Sequence, residues 1–354
     1  MIKMETRVEK INDINKQTMI FEKAAAIIKS GGLVAFPTET VYGLGADGLN
    51  ASACVGIYRA KGRPSDNPLI LHVSDRQMIG QIAAEVTPLA ERLLAAFCPG
   101  PLTLIMKKNA CVPDSITGGL DTVGIRMPDN DIARTFIRMA GVPIAAPSAN
   151  LSGRPSPTTA AAVLHDMTGR IPLILDGGDC RFGVESTIVD TTGDEAIILR
   201  PGAITPEMLA EVCEKVSLDP ALAGENTVPK APGMKYTHYA PQAPLTLVAA
   251  ENGNRCGLFK KIIEQRQKQG ENVGLIISAE TAKELAKAVP EELIVNWGNR
   301  NDLLTIAAGL YEALRYFDDK KVDSLLAETV SVDGLGLAIM NRLLKAAGGR
   351  IIKE

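Results

Sequence analysis

Four cations and a scatter of small hydroxyl side chains carry the chemistry this chain can do. The run Lys61-Gly62-Arg63-Pro64-Ser65-Asp66-Asn67-Pro68-Leu69 sets a Lys and an Arg in a turn stiffened by proline, where both heads can converge on one anion. Pro147-Ser148-Ala149-Asn150 and Leu199-Arg200-Pro201-Gly202 repeat the theme far along the chain, and Arg126 ends a strand-like run from Thr122. Arg grips a carboxylate or phosphate through two parallel N–H donors, whereas Lys acts as a point charge. Thr38, Thr117, Ser148, Ser156 and Ser186 can each give one hydrogen bond to a phosphate or to an amino-acid ligand, although each also suits a turn or a cap. Together these residues point to a polyphosphate site unlike the common nucleotide-binding loops.

Other chemistries fit poorly. No G-x-x-x-x-G-K-[ST] run exists, which excludes a P-loop. Gly43-Leu44-Gly45-Ala46-Asp47-Gly48 matches the dinucleotide spacing, but the acid about twenty positions on is Asp66, inside the basic turn, so a tight turn is the better reading. His72, His165 and His238 are the only histidines, and none has a metal-ligand partner at helical or hairpin spacing. His72 suits a substrate contact and a packed core role equally well. Without a Gly-x-Ser-x-Gly elbow, a serine hydrolase is a poor fit.

The elements that must position these residues fall into two styles. Up to about residue 200, strands and helices alternate irregularly. Leu33 to Phe36, Leu69 to Val73, Thr103 to Met106, Thr122 to Arg126, Pro143 to Ala146, Leu173 to Leu175, Thr187 to Val189 and Ile197 to Leu199 read as strands. Several follow one another without a helix, which predicts a mixed sheet. Asn50 is placed to cap a helix running to about Ala60. Prolines and glycines then crowd a linker, and from Leu245 strands alternate regularly with helices, as in a small parallel sheet covered on both faces. The fold class is therefore α/β: an open, twisted mixed sheet over 1–215, a linker over 216–244 and a Rossmann-like domain over 245–354.

Composition is that of an ordinary globular protein: 354 residues, 46% hydrophobic and 22% charged, with a formal net charge of -3. That balance, with 4% aromatics, speaks against an RNA-binding module as the main role and leaves room only for weak, local RNA contact. No apolar run approaches the ~20 residues that span a bilayer. Six scattered cysteines without a C-x-x-C pair fit a reducing cytoplasm.

At this point a family resemblance becomes specific. Phe36-Pro37-Thr38-Glu39-Thr40-Val41-Tyr42-Gly43-Leu44, the Lys61 turn, Pro147-Ser148-Ala149-Asn150, Gly183-Val184-Glu185-Ser186-Thr187 and Leu199-Arg200-Pro201-Gly202 resemble the threonylcarbamoyl-AMP synthase family. Ala231-Pro232-Gly233-Met234-Lys235-Tyr236-Thr237-His238-Tyr239-Ala240-Pro241 resembles the linker of its long, two-domain form, and Gly336 to Arg342 its C-terminal domain. The resemblance implies a nucleotidyl transfer. L-threonine, bicarbonate or CO2, and ATP with magnesium would give threonylcarbamoyl-AMP and pyrophosphate. It also implies a concave, positively charged cleft. The product would pass to a tRNA threonylcarbamoyl transferase complex that modifies the adenosine beside the anticodon. By the same resemblance Thr38, His72, Arg126 and Ser186 would hold threonine, with Arg126 on its carboxylate. Lys61, Arg63, Ser65, Thr117, Ser148, Asn150, Ser156, Arg200 and Tyr236 would surround ATP, with Lys61 and Arg63 catalytic and no metal ligand from the protein. A hydrogenase-maturation carbamoyltransferase shares the first domain, but its acylphosphatase-like and paired-cysteine segments are missing here.

Overall fold

The computed structural model describes residues 4–63, 67–223, 239–250 and 254–354. The chain divides into two compact units, Met1–Ser152 with Ser156–Lys235, and Tyr236–Glu354 with Gly153–Pro155. In the first, eleven strands form one sheet: β1 (Arg7–Lys10), β2 (Val34–Phe36), β3 (Gly43–Asp47), β4 (Ile70–His72), β5 (Leu102–Lys107), β6 (Thr122–Arg126), β7 (Ile144–Ala145), β8 (Leu173–Asp176), β9 (Thr187–Asp190), β10 (Ala196–Arg200) and β11 (Val216–Leu218). Their order is β1-β8-β2-β3-β7-β4-β6-β5-β9-β10-β11. Parallel pairs such as β4–β6 and β5–β9 alternate with antiparallel ones such as β2–β3, β4–β7 and β5–β6. The mixed sheet read from consecutive strands is present.

Central strands β2 and β4 are buried at every residue, so the sheet is covered on both faces there. Asn50 caps the helix Ala51–Lys61 as its position predicts, its side chain accepting from the N–H groups of Ser52 and Ala53. That helix delivers Lys61 to its last turn.

Two segments differ from the sequence reading. Gly43–Asp47 is neither a dinucleotide loop nor a tight turn. It is strand β3, paired with β2 and β7. Its glycines answer to packing: a Cβ on Gly45 would lie 2.7 Å from Ile144 and 3.0 Å from the Phe36 ring. Val216–Leu218, assigned to the linker, pairs in parallel with β10, so the large sheet continues beyond residue 215.

The second unit carries β12 (Leu245–Ala249), β13 (Val273–Ile277), β14 (Ile294–Asn296), β15 (Ser324–Glu328) and β16 (Ile351–Lys353), ordered β14-β13-β15-β12-β16 and parallel throughout. Val248, Phe259, Ile263, Leu275, Ile277 and Leu326 fill one of its cores. This is the small parallel α/β domain that the regular strand–helix rhythm predicts, with β16 added at an edge.

Candidate active site

The sheet register lines up one polar row. His72 on β4 pairs with Arg126 on β6, and Arg126 pairs in turn with Thr103 on β5. Thr103 pairs with Ile188 on β9, and Ile188 with Arg200 on β10. Residues directly opposite share a face, so His72, Arg126 and Thr103 project from the same side of three strands; the β9–β10 register is irregular at Arg200, which reaches the row through its side-chain contact with Ser186. Their chain neighbours Leu71, Ile125 and Leu104 project from the other side into the main core. Beneath the row Ile70, Ile105, Ile188 and Leu199 make a separate small apolar cluster.

Ser186, just ahead of β9, joins this row. Its hydroxyl lies 2.7 Å from that of Thr103 and accepts from Arg200 Nη2 at 3.1 Å, while Arg200 Nε donates to the Ser186 carbonyl at 3.1 Å. The close approach needs Gly202, because a Cβ there would lie 2.3 Å from the Thr187 nitrogen.

Arg126 meets Glu39, which sits in the loop after β2, at 2.7 Å, and both side chains are almost fully buried. Yet Glu39 Oε1 and Oε2 and Arg126 Nε and Nη2 lack an aligned hydrogen-bond partner. A buried ion pair recovers its desolvation cost only when such groups are satisfied, so this pair is under-satisfied as it stands. His72 is equally buried, with its ring edge-on to Phe36 at 5.9 Å and no partner on Nδ1. Burial first, and then the charge of Arg126, push its pKa down to about 3.

In the ligand-free protein the His72 imidazole is therefore expected to stay neutral over about pH 5 to 8, where an ordinary His titrates. Its ring NMR shifts should be flat across that range, and a midpoint at the ordinary value of 6.5 would contradict this environment. The sign for stability follows. The unfolded chain takes up a proton below 6.5 and the folded chain does not, so this residue withdraws stability as pH falls from 6.5 towards 3.

A second group surrounds Lys61. Its side chain is 3% exposed, and Nζ donates to the carbonyls of Ser148 and Asn150, the latter at 2.7 Å, and to Asn150 Oδ1 at 3.3 Å. Ser148 Oγ donates to the same Asn150 oxygen at 2.6 Å. Lys61 thus holds the Pro147–Asn150 loop, which Gly43 and Tyr42 also hold through their main chains. The Ser156 hydroxyl donates to the buried carboxylate of Glu185 at 2.7 Å, next to Ser186, and the following Pro157 carbonyl accepts from the N–H of Tyr42, whose own carbonyl accepts from Ala149 N–H in the loop that Lys61 holds.

The remaining expected residues stand apart in these contacts. Thr38 closes its own turn, donating to the Val41 carbonyl at 2.7 Å and accepting from the N–H groups of Thr40 and Val41. Thr117 donates to the Leu120 carbonyl at 2.7 Å, and the adjacent Ile116 carbonyl accepts from Leu69 N–H, tying this turn to the Asn67–Leu69 segment. The Arg63 guanidinium lies 6.0 Å over the Tyr58 ring. Ser65 and Tyr236 fall outside the described residues.

Sequence reasoning missed Glu39, Thr103, Glu185 and Asn67. The Asn67 amide is 1% exposed and both its polar atoms lack hydrogen-bond partners. Thr103 opens an apolar strand run, where a polar residue is a usable signal, whereas Glu39, Asn67 and Glu185 stand in polar motifs already singled out and carry no local mark of what they meet. Among the described residues no cluster of His, Cys, Asp or Glu could hold a metal. Fixed cations beside single hydroxyl donors favour charge stabilisation and positioning, not attack by a protein nucleophile.

Two family models match the chain in succession, one described as Telomere recombination over residues 26–202 and one as Threonylcarbamoyl-AMP synthase, C-terminal domain, over residues 204–348. A threonylcarbamoyl-AMP synthase from Bacillus subtilis is 48% identical over 335 residues, covering 94% of this chain and 94% of its own. One from Pyrococcus abyssi is 46% identical, covering 93% and 94%. The solved structure of the Pyrococcus abyssi Sua5 protein complexed with L-threonine matches with a TM-score of 0.91 and 43% identity over 99% of each chain.

Proposed function

This chain belongs to the threonylcarbamoyl-AMP synthase family, its activity is the formation of that adenylate, and we propose how its own residues share the work. The substrates are L-threonine, bicarbonate or CO2, and ATP. The threonine amine attacks the one-carbon electrophile to give a carbamate. A carbamate oxygen attacks the α-phosphate of ATP, and pyrophosphate leaves. Neither step uses a protein nucleophile, so the protein's task is to align the two ligands and to stabilise charge.

One observation carries this reading. The in-register row His72–Arg126–Thr103, extended by Ser186 and Arg200, is linked to the loop that Lys61 braces: Ser156 bonds Glu185 beside Ser186, the next residue Pro157 accepts from Tyr42 N–H, and the Tyr42 carbonyl accepts from Ala149 N–H. An amino-acid-sized polar row is thereby continuous with a cation-rich nucleotide region. Arg126 takes the threonine carboxylate, and Ser186, His72 and Thr38 complete that subsite. Arg200, Ser156, Ser148, Asn150, Thr117 and Arg63 serve the nucleotide, and the resemblance alone adds Ser65. Lys61 acts there chiefly by fixing the Pro147–Asn150 loop.

The donor set of cations and single hydroxyls fits magnesium carried by the triphosphate better than a metal held by the protein. When bound, magnesium would shield the charge of the pyrophosphate leaving group. Transfer of the product to a tRNA threonylcarbamoyl transferase complex, in the cytoplasm and with at most weak RNA contact, belongs to the same proposal. Among the described residues no helix is long and apolar enough to cross a membrane.

Pyrophosphate release from ATP should require both threonine and bicarbonate. Full release with either omitted would overturn this reading. The strap over 231–241 lies largely outside the described residues; of its aromatic residues Tyr239 is described, buried and stacked on Tyr311 at 5.2 Å. The sequence resemblance would set Tyr236 over the nucleotide; that the strap also shelters the labile anhydride from water is our own proposal. Tyr236→Ala should weaken ATP binding and shorten the product's lifetime, and deletion of 231–241 should do so more strongly. An unchanged yield and lifetime in the deletion would reduce the strap to a tether.

A further inference from the structure

We propose that Glu39 binds the α-amino nitrogen of threonine, so that the buried Glu39–Arg126 pair selects a zwitterion over a plain carboxylate. This rests on the reading of Arg126 as the carboxylate contact. Glu39 and Arg126 meet at 2.7 Å with side chains 3% and 5% exposed. A site built only for a carboxylate has no use for a second carboxylate there, since it costs desolvation and repels the ligand. Both Glu39 oxygens and two Arg126 nitrogens nevertheless lack aligned hydrogen-bond partners. A ligand carrying an anion and a cation on one carbon satisfies both side chains at once and leaves the buried charge balanced. An α-amino acid is such a ligand.

The neighbouring groups agree with this polarity. His72 is neutral and offers Nδ1 without a charge, and Arg200 is committed to Ser186. In this row Glu39 is therefore the anion available to a ligand ammonium. The nitrogen keeps one N–H after carbamoylation, so the same contact can hold the substrate through the first step.

Equilibrium binding to the full chain with three probes tests this: L-threonine, threoninol (which lacks the carboxylate) and β-hydroxybutyrate (which lacks the amine). Glu39→Gln should weaken threonine and threoninol by roughly tenfold to a hundredfold, the usual effect of losing a charge-assisted hydrogen bond. It should leave β-hydroxybutyrate binding unchanged or tighter, because Arg126 loses its competing anion. A parallel loss for all three probes would overturn the proposal and leave Glu39 a prop for Arg126. Should Glu39→Gln fail to fold, Glu39→Asp keeps the charge but withdraws it, and must weaken threoninol more than β-hydroxybutyrate. Arg126→Gln separates the two levels. It should cost β-hydroxybutyrate its binding, and if it does not, the carboxylate assignment to Arg126 falls independently of any result at Glu39.

Discussion

Lys61→Ala is expected to cut threonylcarbamoyl-AMP formation on the order of a hundredfold or more, and to lower stability as well. The first effect follows from misplacement of the nucleotide loop, since an error of about 1 Å in a positioning group can cost a hundredfold in rate. The second follows from the contacts. The Lys61 ammonium donates to the Ser148 and Asn150 carbonyls and to Asn150 Oδ1. An acceptor orphaned in a buried setting costs about 1–3 kcal/mol. From the sequence, this Lys reads as a point charge that meets an anion from a proline-stiffened turn. The structure makes it a brace inside the protein, so fold and activity should fall together. ATP affinity and melting temperature, measured on the same preparation, check this. A variant with wild-type melting and ATP affinity would contradict the bracing role.

Arg126→Ala should have the second large effect, and it should be divisible. Removing the guanidinium strips the carboxylate contact from threonine, which costs roughly tenfold to a hundredfold in affinity. It also strands Glu39 as a buried, unpaired charge, and breaking such a pair costs about 3–5 kcal/mol of stability. Adding Glu39→Gln to the Arg126 substitution removes the stranded charge. Stability should then recover while threonine use stays lost, and a double-mutant cycle of melting and turnover reads both quantities. If the double variant recovered turnover along with stability, Arg126 would be structural and the threonine subsite would lie elsewhere.

Much of the frame was legible because it rests on local signals. Asn50 announces its helix, and the strand at β2 stands out as an apolar run cut by Pro37. The regular rhythm after Leu245 reports a parallel sheet because β-α-β units repeat at similar length. Other elements were legible but went unread. Thr87-Pro88-Leu89-Ala90-Glu91 is a helix start signal, and Pro88–Phe97 is a helix whose Thr87 side chain caps Ala90 N–H. The strand at Gly43–Asp47 could not be read locally. Its glycines look like turn residues, and what makes them strand residues is the Phe36 ring and Ile144 pressing on them.

The site shows the same division. Lys61, Arg63, Arg126 and Arg200 are legible as cations at or near the ends of predicted elements, and Ser186 as a small hydroxyl donor. That Arg126 lies beside His72 and Thr103 is a matter of register among strands that are not consecutive in the chain. Glu39 lies within the Phe36–Leu44 motif, and nothing local reveals that it meets Arg126. Pairing between distant segments is set by the fold, and a single sequence carries no direct trace of it.

A double-label assay tests the central claim most directly. The protein is incubated with L-threonine, magnesium, carbon-labelled bicarbonate and ATP labelled at its α-phosphate, and the products are separated. Both labels should migrate in one species that also contains threonine, with unlabelled pyrophosphate released in equal amount. Labels that separate into different products, or an α-phosphate label that leaves ATP without bicarbonate carbon joining it, would contradict the formation of a threonylcarbamoyl adenylate by this site.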